Sequence, residues 1–186
     1  MIADATTTLR DVLTAALTPL GASADVSSLE GSISQTPARV TVFLYEVVED
    51  PSARNRPRVR GEAPPDVLLR RPNMALLLRY MLTPWGGDRA TEQALLARTL
   101  LTFYDGAILS GTQLSGALAG TDQALKVTLA PVSMEERARI WYSLQKPYRL
   151  SVIYEVRVLG LDSAAQQMLT PVSRRSLDYG QPEATT

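Results

Sequence analysis

The sequence contains no cysteine and no histidine. Without cysteine there can be no disulfides, no thiolate zinc sites and no thiol nucleophile. Without histidine the Ser-His-Asp and Cys-His arrangements are gone, together with the commonest general base near neutral pH. These absences make an enzyme much less expected. The carboxylate pairs Glu49-Asp50 and Glu135-Glu136 could in principle act as acid and base or as metal ligands. Adjacent residues on a strand or helix start diverge, however, and acidic residues in a first helical turn already have a dipole explanation.

Long apolar runs are also missing. The best candidate, Met74 to Met81, is interrupted by Arg79 and falls far short of the roughly 20 residues of a membrane span. The amino terminus has neither a basic start nor an apolar signal core, so a cytoplasmic product is expected. Lysine is scarce, with only Lys126 and Lys146. The 19 basic and 19 acidic residues cancel, so the whole chain has no net attraction for nucleic acid or anionic membrane. Glycines 106, 111, 116 and 120 match neither a dinucleotide fingerprint nor a phosphate loop, and they read as a flexible connection.

What is present is a core. With 45% hydrophobic and 20% charged residues over 186 positions, the chain suits one ordinary globular domain. Leu9, Val12, Leu13, Ala16, Leu17 and Leu20 fall at helical spacing, with Asp4 as a possible cap and Pro19 and Gly21 as a stop. Residues 39–48 (RVTVFLYEVV) are apolar on both faces and suit a central strand, and 74–82 reads similarly. Residues 88–104 form a second amphipathic helix with Leu95, Leu96, Thr99 and Phe103 on one face. Leu125, Val127 and Leu129 alternate as a half-buried strand.

Ser133 with Glu136 is a capping-box pattern for a third helix that buries Met134, Ala138, Trp141 and Leu144. Pro147 stops that helix, and 148–161 alternates as a long strand with Tyr148 and Tyr154 facing inward. These elements define an α+β fold: one domain over residues 1–161, with a mixed or mainly antiparallel sheet of four to five strands and about three helices. Residues 162–186, polar and containing Pro171, Pro182 and Gly180, read as an extended C-terminal tail or contact arm.

The strongest charge feature is an arginine comb, Arg54, Arg56, Arg58 and Arg60, joined by Arg70 and Arg71. Proline favours extended backbone here, and alternate residues of an extended chain point the same way. The comb can be a solvated loop, a contact with an acidic protein surface or a phosphate-binding edge. No aromatic residues lie among the arginines to stack on bases.

Three blocks carry a family resemblance: FLYEVVEDPSARN (43–55), LLLRYMLTPWG (76–86) and PVSMEERARIWYSLQKPYRLSVIYEVRV (131–158). Together they resemble the amino-terminal domain of the cap, or tail-terminator, proteins of contractile injection systems of the antifeeding-prophage and virulence-cassette type. The resemblance spans most of residues 1–162. It implies a structural protein, not an enzyme, without cofactor, metal or catalytic residues. The implied assembly is a self-associated ring, a homohexamer, on the baseplate-distal end of inner tube and sheath. There it ends their polymerisation, with the tube and sheath proteins as partners and no membrane.

On that reading Arg54, Arg56, Arg58, Arg60, Arg174 and Arg175 are the candidate partner-binding residues. Assembly in the cytoplasm is expected, with release as part of a particle left open. The alternatives are another structural component of the same particle and a small nucleic-acid-binding module using the arginine loop.

Overall fold

A computed structural model describes residues 1–63, 66–70, 72–161 and 166–170. The chain forms two units, one of residues 1–55 and 73–161 and the other of residues 56–72 and 162–186.

The larger unit is built on a six-stranded sheet. Its strands are β1 (Ser23–Val26), β2 (Arg39–Glu49), β5 (Met74–Trp85), β6 (Ile108–Ser110), β7 (Ala124–Leu129) and β8 (Val152–Leu161), in the spatial order β1-β2-β5-β8-β7-β6. Only β1 and β2 pair in parallel; every other neighbour is antiparallel. The strands expected at 39–48 and 74–82 are the central pair with β8, as their two-sided apolar character requires. Between Leu44 and Glu46 the register of β2 against β5 shifts, leaving Tyr45 as an extra residue.

One face of this sheet is covered by helices α1 (Ile2–Leu17) and α2 (Arg89–Asp105). Leu9, Leu13 and Leu17 from α1 and Leu95 and Phe103 from α2 join Val42, Leu78, Tyr80, Val127 and Val156 in the main core. Tyr80 is fully buried, and its hydroxyl is 2.8 Å from Thr6 Oγ1, which satisfies a polar group that would otherwise be costly to bury. On the opposite face, helix α3 (Met134–Ser143) brings Trp141 onto Met81, Trp85 and Ile153 in a second cluster.

The helix ends explain themselves locally. Asp88 caps α2, accepting from the Thr91 amide at 2.9 Å and the Thr91 hydroxyl at 2.6 Å, and these bonds hold its carboxyl below the usual range. The Ser133 capping box is formed in both directions: the Glu136 amide donates to Ser133 Oγ at 3.1 Å, and the Ser133 amide donates to the Glu136 carboxylate at 2.9 Å. That carboxyl too is held low, chiefly by the Ser133 amide. At the other end, the Lys146 amide reaches the Trp141 carbonyl at 3.1 Å and the Gln145 amide reaches that of Tyr142 at 2.9 Å. Gln145 sits at φ +54°. The helix thus closes in a Schellman motif before Pro147 is reached.

The smaller unit is a three-stranded antiparallel sheet of order β3-β4-β9, made of β3 (Val59–Ala63), β4 (Asp66–Arg70) and β9 (Gln166–Leu169).

The fold class is α+β with three α-helices among the described residues, in line with the expectation, but the expected strand count was too low: among the described residues six strands and three strands stand in place of four or five. The strands overlooked are β1, β3, β4, β6 and β9, of three to five residues each, too short for alternation to declare itself. Residues 148–151 are not strand, and Tyr148 and Leu150 are exposed; the alternation there belongs to a loop. Met134 is exposed rather than buried. Asp4 is not the cap of α1, which starts behind Met1; it lies in the first turn.

Candidate contact surfaces

Among the described residues, no group of three or more acidic, cysteine or histidine side chains could hold a metal ion. No helix of the described residues is long and apolar enough to cross a membrane. The carboxylates singled out by the sequence have structural partners. Glu49 faces Arg54 at 3.8 Å, Asp50 Oδ1 caps the following turn through the Ser52 amide at 2.9 Å, and Glu135 pairs with Arg139 along α3.

The arginine comb is divided. Arg54 belongs to the larger unit, in the turn after β2, with its side chain 70% exposed. Arg56, Arg58 and Arg60 belong to the smaller unit and are exposed. Arg60 stands opposite Leu69, and Leu69 opposite Gln167, so the three share one face of the small sheet. Arg58 Nη1 crosses that face to donate to Gln167 Oε1. Arg70 pairs with Val59 in the register, which puts it on the other face. None of Arg56, Arg58, Arg60 and Arg70 has a carboxylate partner among the described residues. No described side chain of this unit is fully buried. Arg71, Arg174 and Arg175 lie outside the described residues.

The two edges of the large sheet differ. At β1, Thr14 of α1 occupies the outer backbone groups of Ala24: its hydroxyl accepts from the Ala24 amide at 3.1 Å and donates to the Ala24 carbonyl at 3.3 Å. At Ala24 that edge is blocked to another strand. At the far side β6 pairs with β7 only as far as Ile108 and Lys126, with one more bond from the Val127 amide to the Ala107 carbonyl at 2.8 Å. The end of β7 runs on beyond its neighbour.

Beside that end lies an apolar groove of about 450 Å3 between α2 and β7, lined by Leu100, Leu101, Phe103, Tyr104, Leu129 and Tyr154 among others. Leu101, Tyr104 and Leu129 are 53%, 83% and 51% exposed. The sequence reading missed this groove, although α2 carries a signal for it: LLTFY places apolar residues on more than the one face that packs on the sheet.

On the sheet face away from α1 and α2, Arg79 bridges Glu46 at 2.8 Å and Glu155 at 3.0 Å across three strands. Its guanidinium is held above its ordinary pKa, most of all by the Glu46 bond. At the end of β5, Arg149 lies 4.2 Å over the Trp85 ring and pairs with Glu92 of α2. Both arrangements tie elements together.

The fold of this chain is that of two terminators of contractile particles. One is the sheath/tube terminator of the extracellular contractile injection system PVC in its extended state, with a TM-score of 0.66 and 21% identity; the match covers 100% of this chain and 65% of that one. The other is the anti-feeding prophage cap, a tube terminating cap, with a TM-score of 0.62 and 21% identity, covering 96% of this chain and 62% of that one. This chain thus spans somewhat less than two thirds of the length of these proteins. No curated protein matches it. Residues 4–175 match the Pvc16 N-terminal domain, and the chain belongs to that family. The resemblance carried by residues 43–55, 76–86 and 131–158 is thereby borne out.

Proposed function

We propose that the protein is a structural cap of a contractile injection system. It sits on the baseplate-distal end of inner tube and sheath, ends their polymerisation and stabilises the extended particle. One observation carries this reading: the whole chain shares its fold with two terminators of such particles, within a family to which its sequence belongs.

The role is mechanical, not enzymatic. The carboxylates singled out by the sequence are engaged in caps, turns and ion pairs, and a ring needs only two complementary patches per subunit. The ring is proposed to be a homohexamer assembled in the cytoplasm, with the tube and sheath proteins as its partners.

The contact arms are proposed to be the arginine segment, Arg54, Arg56, Arg58 and Arg60, and the tail of residues 162–186 with Arg174 and Arg175. Two features support them. The small sheet offers exposed guanidinium groups without carboxylate partners, and it buries no described side chain fully, whereas a small sheet needs an apolar surface to pack on for stability.

Gold-labelled protein added to particles that lack it tests location and arms together. It should decorate one end only, the end away from the baseplate. Changing Arg54, Arg56, Arg58 and Arg60 to serine should cut decoration several-fold at low salt, with a smaller difference at high salt, because exposed charge contacts are screened. Label at the baseplate would make the protein a different structural component. Undiminished decoration by the serine variant would remove the arginines from the contact.

A further inference from the structure

We propose that two copies of the chain join by β-addition: the arginine-bearing edge strand β3 of one copy pairs with the open half of β2, residues 46–49, on the next. The inference rests on the ring proposed above and names the contact that would build it.

The open half of β2 follows from the length of its neighbour. β1 runs along residues 39–42 alone, and the Ser27 amide adds one bond to the Val42 carbonyl at 3.2 Å. Beyond the bulge at Tyr45, Glu46 to Glu49 keep regular register with β5 on their other side. Among the described residues no strand lies along their outer edge. The Asp50 amide donates to the Ala75 carbonyl of β5 at 2.9 Å. Backbone groups alternate along a strand, so Val48 and Glu46 turn theirs toward β5, and Glu49 and Val47 turn theirs outward. Val47 is 44% exposed, and Glu49 is exposed as well.

β3 is a second open edge. Among the described residues it pairs with β4 alone, and its five residues match the length of the vacant stretch. An extended strand set against such an edge gains main-chain hydrogen bonds.

The two edges carry opposite charge. On the β2 side, Glu46 and Glu155 share the single guanidinium of Arg79, which leaves negative charge in excess. Glu136 of α3 adds to it: burial, with Glu46, Glu155 and Glu136 contributing against Arg79, pushes the Tyr45 phenol up to about 12. On the β3 side, Arg56 and Arg60 are exposed and have no carboxylate partner among the described residues, while Arg58 between them turns to Gln167. Opposite charges on adjacent strands stabilise the pairing. The other edge of the small sheet, β9, has no charged residue in its four positions, so charge selects β3. Because the two surfaces differ, the contact is head-to-tail and repeats from copy to copy until rotation closes a ring.

Sedimentation of the full chain tests this. The parent should self-associate. Val47→Pro removes an outward amide without touching the ladder to β5, and the double change Arg56→Glu, Arg60→Glu reverses the cations. Each should weaken association at least about tenfold. Mixed in equal amounts, the two variants should form a one-to-one dimer and nothing larger, because each keeps the surface that the other has lost. Should Val47→Pro lose its circular dichroism, Glu49→Pro takes its place at the other outward amide. A monomeric parent, association that neither change weakens, or a mixture of folded variants that stays monomeric would overturn the proposal. The capping reading is separable from it. A monomeric parent that still decorates distal ends removes this contact and leaves the cap, whereas copies that join as described and leave those ends bare uphold the contact and remove the cap.

Discussion

Replacing Trp141 with alanine should lower the unfolding free energy by about 3–5 kcal/mol, the usual cost of removing a large aromatic from a packed site. Trp141 is one of the two tryptophans of the cluster beneath α3 and the more deeply buried, at 1% exposed. It is the residue through which a ten-residue helix, too short to be stable alone, is fixed to the sheet. Its indole also donates to Ser151 Oγ at 3.3 Å, and Ser151 is fully buried. Alanine removes the packing and leaves that hydroxyl short of a donor, so the two losses fall together. Trp141→Phe keeps most of the volume and should cost roughly half as much or less. The measurement is chemical denaturation of both variants. If the alanine variant lost less than about 1 kcal/mol, α3 would not be anchored by this residue.

Gly116→Ala should be the second severe change, at roughly 2–3 kcal/mol. Gly116 lies at φ +62°, where an L side chain is strained, and a Cβ there would fall 2.1 Å from Asp4 Oδ1. Asp4 has little freedom to retreat. It is held by the terminal amine and by the Ala117 amide at 3.2 Å, and these hold its carboxyl below the usual range. Gly120 supplies the control, since it has φ +74° with no atom within 4 Å of the added Cβ. Gly120→Ala therefore pays only the backbone cost, about 1–2 kcal/mol. Thermal melting of the two variants should show the larger drop at Gly116, and adding Asp4→Ala should shrink the difference. Equal drops would mean that the loop does not pack on Asp4.

How much of this could be read from the residues depended on how local the determining interactions are. The α3 capping box needs only Ser133 and Glu136, three positions apart, and it formed as written. Strands β2, β5 and β8 were visible because their apolar pattern records burial on a sheet. The three-residue β6 and the four-residue β1 carry too little pattern to be seen, and their place is set by partners distant in sequence. Residues 148–151 show the reverse failure: Tyr148 and Leu150 continue the alternation of β8, yet Arg149 is committed to Trp85 and Glu92, contacts that no spacing rule reveals. The arginine comb was legible as charge, but not its division between the two units. The groove beside β7 depends on where β6 stops, a fact of tertiary pairing, so only the excess of apolar residues on α2 could have hinted at it.

If this chain ends the growth of a tube and its sheath, as proposed, deleting the gene will show it in the length and end structure of the particles seen by electron microscopy. Baseplates should be intact, with sheaths that are overlong, ragged at the far end or missing. Particles of normal, uniform length with closed distal ends would contradict it.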